Sequence, residues 1–547
     1  MKSRLSLFLI LLLALFLRLY RLNNLELFGD ELDVGYHAYS LWTSGRDYLG
    51  QKLPVYIHSF SEWRAPLLMY LTAPFVAVFG LNEWGVRLAP VVMGLLNIVL
   101  TYQLVRMVSG RKGLAIISAF IMAVSPWHLH YSRTAFEATL LLSLILGGTI
   151  AFLKRKWFWS AVWLALSFYS YSTASLFVPL FGFSLLLTFK AKRKDQGVAF
   201  AGLVFLIILT PLLISVLFGQ AAGRFNLISI FNNPKTIDTI VFKRNTGLSP
   251  WLERLFYNKL TGWSKEFFSN YLTAVSPQFL FLGGDPNPRH NPPGFGQLPL
   301  LFLPLLIVGA YQLLRDKNQK LKRLVFSWLM IAPIPACLTV GGGDQATRLF
   351  LMIPPLVILI AFGFEKVFEL SRNFKFLAAV AVYLFSILSL TFWAYAYLVH
   401  YPKETSRWWH YGYKEAIGWL KQNREDDQKI IINNGYEPAL IRYLFWTKTD
   451  PASFRKQFVS DQPKEELLPG FTGFRLDNIY FGEISQPDQI SWLAENLAKD
   501  SLYLAFQGKE APGDWNLFSN PPEEISVKKI TYDPWGKPLS YWLSGKK

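Results

Sequence analysis

Cysteine is almost missing from this chain: Cys337 is the one thiol in 547 residues. No intramolecular disulfide can form, and a cysteine-based metal site is excluded. Charge is scarce as well. Asp, Glu, Lys and Arg make up 17% of the residues, against about a quarter in soluble domains, a deficit that points to lipid-facing helices. Acidic side chains are the rarer sign, 37 against 55 basic, for a net charge of +18. The basic residues fall in short clusters between apolar runs, the pattern of membrane-protein loops, so a nucleic-acid partner is not expected. A small-residue cleavage site is also lacking. The apolar run Leu5 to Leu17 is followed by Arg18, Leu19, Tyr20 and Arg21, which reads as a retained first helix. What is abundant is hydrophobic (52%), with 19 Trp and 25 Tyr suited to the aromatic belts at membrane interfaces.

A helix needs about 20 apolar residues to cross the hydrocarbon core. Charge-poor runs occur near 5–22, 88–105, 113–130, 138–153, 157–173, 174–189, 197–218, 298–314, 324–341, 349–364 and 376–398, so about 11 transmembrane helices are expected. One set of links is short and basic. It holds Lys2 and Arg4; Arg106, Arg111 and Lys112; Lys154 to Lys156; Lys190, Lys192, Arg193 and Lys194; Arg315, Lys317, Lys320, Lys322 and Arg323; and Lys366, Arg372 and Lys375. The positive-inside rule places this set in the cytoplasm. The remaining links, 23–87, 131–137, 170–175, 219–297 and 342–348, are then external, as is everything after about 400. Pro66 to Gly80 is apolar but short and interrupted by Pro74. It reads as a juxtamembrane or re-entrant helix, because counting it as a span would put the basic clusters outside.

The chain is therefore expected to be an α-helical polytopic membrane protein over 1–400, with its N-terminus cytoplasmic. An extracytoplasmic α/β domain is expected over 401–547. Within that tail the pattern predicts helices at Lys414–Gln422, Glu437–Thr447 and Asp488–Ala498. Strands are predicted at Lys429–Asn433, Ser501–Phe506 and Ile525–Thr531.

The expected spans contain essentially no Asp, Glu, Lys or His between their ends, whereas transporters and pumps use such residues at mid-bilayer. A flippase or transporter of a lipid-linked glycan precursor is thus the second reading, and a non-catalytic receptor the third. Polar chemistry gathers in the external links. Asp30, Glu31 and Asp33 follow the first span; three carboxylates at a helix exit suit a general base or a metal, or equally an acidic juxtamembrane loop with an N-cap at Asp30. Glu62 and Arg64 precede the juxtamembrane helix; they can hold a metal and a phosphate respectively, or simply anchor the interface. Arg133 and Glu137 are four apart, so a helix would set them on one face as a ligand pair or a surface ion pair. Gly283 to Gly296, with Arg289 and His290, is a Gly/Pro-rich loop, and Gly341-Gly342-Gly343-Asp344 precedes Arg348. Glycine runs beside an arginine can cradle phosphate, though flexible loops look alike.

In order, these pieces resemble the GT-C integral-membrane glycosyltransferases, in the branch of bacterial protein O-mannosyltransferases and lipid A aminoarabinose transferase. Asp30-Glu31 matches that family's acidic pair, and Arg64-Ala65-Pro66 stands where the family has Lys-Pro-Pro. Arg87-Leu88-Ala89-Pro90, Ser132-Arg133 with Glu137, Tyr169 to Ser172, the 283–296 loop and Asp344 with Arg348 also fit. The resemblance covers about residues 5–400 and departs at Ala65, at the spacing of Glu62, and at Glu137, where many relatives have Asp. It implies a polyprenyl-phosphate sugar donor and an extracytoplasmic acceptor. Asp30 and Glu31 would be the catalytic carboxylates, with Asp30 as base. Arg64, Arg348 and Arg133 would bind the donor phosphate, and Glu137 would be the second-loop acid. A divalent metal cation at Glu62 and His290 is a further expectation, and membrane lipids are the remaining partners.

Overall fold

The computed structural model of the protein describes residues 2–546 except 60–62, 190–195, 219–227, 248, 372–375, 436, 459–463, 487 and 511–520. Glu62 and the basic residues Lys190, Lys192, Arg193, Lys194, Arg372 and Lys375 lie outside the described residues.

The first helices in chain order are α1 (Lys2–Leu19), α2 (Gly29–Ser44), α3 (Leu67–Phe79), α4 (Glu83–Ser109) and α5 (Lys112–Val124). They are followed by α6 (Pro126–Tyr131), α7 (Ala138–Leu153), α8 (Trp157–Leu166), α9 (Ala174–Phe189) and α10 (Gln196–Phe218). The runs expected at 138–153 and 174–189 are helices with those bounds. The run expected at 113–130 breaks early. Pro126 disfavours helical backbone at Ser125, whose φ/ψ of −59°/123° separates α5 from α6. Among the described residues, four helices are long and apolar enough to cross a membrane: Glu83–Ser109, Gly197–Ser215, Ala346–Glu369 and Val380–Glu404. Five more, α3, α5, α7, α9 and Phe302–Arg315, are apolar over 10–17 residues.

Burial sorts these helices into layers. α7 is buried along almost its whole length, and the helix Ile353–Ser371 packs tightly on Phe302–Arg315. There a Cβ on Gly309 would strike the Leu359 carbonyl, and one on Gly363 the Leu305 carbonyl; small residues let the two backbones meet. Gly197–Ser215 and Val380–Glu404 are peripheral, with Leu206, Ile207, Ile387 and Phe392 each more than half exposed, the surface a lipid phase would cover.

At the C-terminal end of α4, Arg111 pairs with Asp316 at 3.0 Å and with Glu365, and Asn318 Nδ2 donates to the Val108 carbonyl at 2.7 Å. Three members of the basic set of links thus meet at one place. α4 has 27 residues and runs about 40 Å from there to the candidate site.

At its other end α4 supplies Arg87, which forms a two-pronged pair with Glu31 of α2, at 2.8 Å from Nε and 2.6 Å from Nη2. Both side chains are buried. Arg87 also donates to the carbonyls of Leu22, Leu25 and Glu26 at 2.8–3.0 Å, and Glu31 accepts from the Ala135 N–H at 3.0 Å. One ion pair thus ties the exit of α1, the start of α2, α4 and the 132–137 turn.

After residue 404 the chain builds a seven-stranded sheet. Its strands are β3 (Lys429–Asn433), β4 (Glu465–Leu468), β5 (Phe471–Leu476), β6 (Ile479–Ile484), β7 (Ser501–Phe506), β8 (Ile525–Tyr532) and β9 (Pro538–Gly545), in the order β4-β5-β6-β3-β7-β9-β8. A separate two-stranded hairpin, β1 (Ile57–His58) and β2 (Trp63–Arg64), lies in the first long link. β3 is central and parallel to β6 and β7; its Ile430–Ile432 run is apolar throughout because both faces are covered. The strands expected at 429–433 and 501–506 have those bounds, and the expected helices appear as Tyr413–Asn423, Ala439–Thr447 and Gln489–Asn496.

The sheet region grips α2 from outside. Leu32, Leu41, Leu440, Leu444 and Phe445 share one apolar cluster. A Cβ on Gly35 would meet the Phe445 ring and Val86. Tyr36 Oη donates to the Thr449 carbonyl at 3.0 Å, Arg455 donates to Ser40 Oγ at 3.1 Å, and Lys414 pairs with Glu83 at 2.6 Å. α2 is therefore held between the helical bundle and the sheet.

Removing one partner of a buried ion pair costs about 3–5 kcal/mol, while an exposed pair contributes about 1 kcal/mol or less. Glu31→Ala is expected to lower the thermal midpoint in detergent sharply. Glu369→Ala, which removes the exposed pair with Lys366, should leave it nearly unchanged, and calorimetry or intrinsic fluorescence reads the contrast.

Candidate active site

α2 starts at Gly29, with extended Phe28 as its N-cap and no side-chain cap. Asp30 is therefore not the N-cap but the second residue of the first turn, where the helix dipole favours a carboxylate. Successive helical residues diverge by about 100°, so Asp30 and Glu31 part: Glu31 turns inward to Arg87, and Asp30, its side chain 52% exposed, faces a cavity. Asp33, three residues on, shares the Asp30 face.

Arg64 reaches this face from β2, where it pairs with Ile57 in the β1–β2 hairpin. Its Nη2 lies 2.5 Å from Asp30 Oδ1, and its Nε 3.9 Å from Asp33 Oδ2. Asp33 in turn accepts from Tyr48 Oη at 2.8 Å and lies 3.6 Å from His37 Nε2. Burial, followed by the nearby Arg64 charge, holds the His37 imidazole well below its ordinary pKa.

The cavity, about 170 Å³, is lined by Asp30, Arg64, Glu137, Arg289, His290 and Arg348 among others. Ser170, Tyr171 and Ser172 form part of its wall, with Tyr56, Trp63 and Phe136. Five of the eight predicted site residues (Asp30, Arg64, Glu137, His290 and Arg348) are thus brought together.

Arg348 is set by the Gly341–Asp344 turn. Gly341 takes a left-handed φ of 60°, a conformation that glycine adopts without Cβ strain. Arg348 Nη1 donates to Thr339 Oγ1 at 2.5 Å. Asp285 fixes the turn to the 283–296 loop by accepting from the Ala346 N–H at 2.8 Å and the Asn287 N–H at 2.9 Å. Burial outweighs those two hydrogen bonds and pushes the Asp285 carboxyl up to about 6. Asn287 accepts from the Arg289 N–H at 3.0 Å, so Asp285-Pro286-Asn287-Pro288-Arg289 is two successive Asx turns.

Those turns present Arg289 and His290. The Arg289 guanidinium stacks over the Phe28 ring at 4.4 Å, donates to the Trp408 carbonyl at 3.1 and 3.0 Å, and lies 3.7 Å from Glu437. His290 Nδ1 and Tyr131 Oη are 2.9 Å apart, and the same hydroxyl is 2.8 Å from Thr347 Oγ1. Burial first, then the adjacent Arg289 charge, lowers His290 to about 3, so it is neutral at physiological pH.

Two predicted residues lie elsewhere. Glu31 is enclosed in its pair with Arg87 and does not line the cavity. Arg133 does not share a helical face with Glu137, because α6 ends at Tyr131 and α7 begins at Ala138. It turns instead to the end of α1, donating to the carbonyls of Leu17 at 2.5 Å, Arg18 at 3.1 Å and Arg21 at 3.3 Å, with its guanidinium over Tyr397. Glu62 lies outside the described residues. Arg289 was named from sequence only as part of the Gly/Pro-rich 283–296 loop and was not assigned to the site, yet it lines the cavity.

The described residues do not make a divalent-cation site. No three His, Cys, Asp or Glu side chains converge among them, although Asp30, Glu137 and His290 all line the cavity. The available donors are guanidiniums, hydroxyls and two carboxylates, a set suited to an anion and a polyol. The volume is below the roughly 300–1,000 Å³ of sites that enclose drug-sized ligands, so it suits a headgroup and leaves any long chain outside.

The fold is similar to that of the GT-C enzyme ArnT. ArnT from Cupriavidus metallidurans in the apo state matches with a TM-score of 0.54 and 12% identity, over 99% of this chain and 98% of that one. ArnT bound to undecaprenyl phosphate matches with 0.53 and 13%, over 98% and 97%. The archaeal oligosaccharyltransferase AglB from Archaeoglobus fulgidus, in complex with an inhibitory peptide and a dolichol-phosphate, gives 0.46 and 14% over 79% of this chain; the chain spans 62% of AglB. The profile of the dolichyl-phosphate-mannose-protein mannosyltransferase family matches residues 63–214. No curated protein matches in sequence.

The Asp285 pKa of about 6 lies above the ordinary 3.8. Its contribution to stability is therefore complete below about pH 4 and lost as pH rises through about 6. Asp285→Asn removes this titration. The gap between wild-type and variant thermal midpoints should change between pH 4 and 7, and parallel profiles would refute the assignment.

Proposed function

We propose that the protein transfers a sugar from a polyprenyl-phosphate donor to an acceptor hydroxyl at the extracytoplasmic face of the membrane. The observation that carries this reading is the meeting of the half-exposed Asp30 carboxylate with Arg64, Arg289 and Arg348 around one headgroup-sized cavity. The undecaprenyl phosphate bound by ArnT, a protein of the same fold, supports a lipid phosphate as the ligand.

The donor phosphate sits among the arginines with its polyprenyl tail along the outer surface of the helices. The acceptor oxygen attacks the anomeric carbon from the face opposite the phosphate, its proton passing to Asp30. The bond between that carbon and the phosphate oxygen breaks, its electron pair stays on the lipid phosphate, and the configuration inverts. Preorganised cations at the departing phosphate stabilise the charge that develops there. Glu137 lies on the wall as a hydrogen-bond acceptor for sugar hydroxyls. Glu31 acts through position alone, holding the turn of α2 on which Asp30 stands. No step is routed through a metal.

In this reading residues 1–400 are the catalytic membrane domain, with its N-terminus in the cytoplasm. Residues 401–547 form an extracytoplasmic α/β domain that borders the acceptor approach through Glu437 and Trp408.

Purified protein incubated with a panel of radiolabelled polyprenyl-phosphate sugars and cell-envelope acceptors tests the reaction. Asp30→Asn should reduce turnover by about 10²- to 10⁴-fold, the range of general-base help, with normal expression. Arg348→Ala should raise the donor KM by about 10- to 100-fold, since hydrogen bonds to charged groups contribute about 1.5–3 kcal/mol. Undiminished transfer by Asp30→Asn removes that residue from the chemistry. Movement of intact lipid-linked glycan across vesicles without transfer would favour a flippase.

A further inference from the structure

Three helices after α10 take no part in the cavity: Pro234–Thr246, Pro250–Phe256 and Lys259–Ala274. Their surface carries large exposed apolar side chains. Phe242 is 62% exposed, Trp251 70%, Phe256 61%, Leu260 71%, Phe268 63% and Leu272 68%. Six large apolar side chains exposed on three successive helices mark a surface that something covers.

Two observations identify the cover. The first is continuity with the lipid-facing side of the bundle. Asn270 Nδ2 donates to the carbonyls of Cys337 at 3.2 Å and Thr339 at 3.0 Å, and Tyr271 Oη to the Met330 carbonyl at 3.1 Å. Met330, 56% exposed, belongs to the expected span 324–341, so Tyr271 fastens the third helix beside exposed apolar surface of that segment. The second is charge. Between 233 and 275 the chain carries six lysines and arginines against three acidic residues. One of the three, Glu266, is absorbed internally, accepting from Asn233 at 3.0 and 3.2 Å and Thr236 at 2.8 Å, which fastens the first helix to the third. Between those two helices runs a groove of about 660 Å³, with Lys235, Lys243 and Lys265 on its walls beside the hydroxyls of Thr239 and Ser269.

We propose that these helices lie in the headgroup layer as a platform on an anionic phospholipid leaflet. The apolar side chains enter the acyl boundary and the groove lysines engage lipid phosphates. An amphipathic helix with aromatics on one face and lysines on the other binds an interface by adding the two contributions, each basic residue near an anionic surface supplying attraction that decays within a Debye length. The platform adjoins the candidate site, since a Cβ on Gly343, five residues before Arg348, would meet Asn270 and Thr273.

The test needs no substrate. Full-length protein carrying Trp251→Cys, with the buried Cys337 as background thiol, is labelled with an environment-sensitive fluorophore. It is placed in nanodiscs containing doxyl-labelled lipid, with and without phosphatidylglycerol; Leu260→Cys provides a second site. Lys421→Cys, exposed on the helix Tyr413–Asn423, is the reference. Quenching at 251 or 260 should exceed that at 421 several-fold and increase with phosphatidylglycerol. The increase should vanish when Lys235, Lys243 and Lys265 are replaced by Gln. Equal quenching at all three positions overturns the platform. An increase that survives the lysine replacements, or no increase at all, overturns the role of the groove.

Discussion

The buried Glu31–Arg87 pair is the constraint on which the site's geometry depends. It is fully enclosed, yet nearly every donor and acceptor it carries is satisfied, by each other and by the backbone at residues 22, 25, 26 and 135. Desolvating two charges is costly, and hydrogen bonding of this completeness is what offsets it. The same contacts fix the rotation of α2. A helix whose second acidic residue is anchored inward has no freedom to turn the first away from the cavity. Asp30 thus faces Arg64 because Glu31 faces Arg87.

Arginine is used here in two ways, distinguished by its partners. Arg87 and Arg133 bond the protein's own carbonyls at the exit of α1, Arg87 together with Glu31, and neither lines the candidate-site cavity. Arg64, Arg289 and Arg348 line that cavity, with contacts that include the Asp30 carboxylate for Arg64, the Trp408 carbonyl and the Phe28 ring for Arg289, and the Thr339 hydroxyl for Arg348. Rigid guanidiniums held in place in this way lose little entropy in binding an oxyanion. The neutral His290 adds no charge; through Tyr131 and Thr347 it joins the loops that carry the last two arginines.

Much of this arrangement could be read from residue order. The strands 429–433 and 501–506 were legible because a buried parallel strand is a short apolar run with sharp edges. The helices 138–153 and 174–189 were legible because each is an apolar run with sharp polar edges, at Glu137 and Lys154 for the first and Thr173 and Lys190 for the second, even though Pro179 lies inside the second. The strands β4, β5, β6 and β9 were missed, since polar and glycine-bearing stretches such as Phe471–Leu476 become strands only when their neighbours pair with them. Spacing failed at Arg133 and Glu137 because four residues apart means one face only if the helix is continuous, and the chain turns between them. Adjacency misled at Asp30-Glu31 for the converse reason: neighbours in sequence on a helix point to different places. Arg289 needed the partner residues 28, 408 and 437, from three distant parts of the chain, before its position had meaning.

The double grip on α2 bears on how such a chain can change over evolutionary time. Its inner face fits Arg87 and Val86, and its outer face fits Phe445, Thr449 and Arg455. The tail is therefore not an interchangeable module. A recombinant that inherited the helical bundle from one ancestor and the sheet from another would have to bring a matching α2 with the sheet and a matching α4 with α2. The two halves of the molecule are bound to diverge as one lineage.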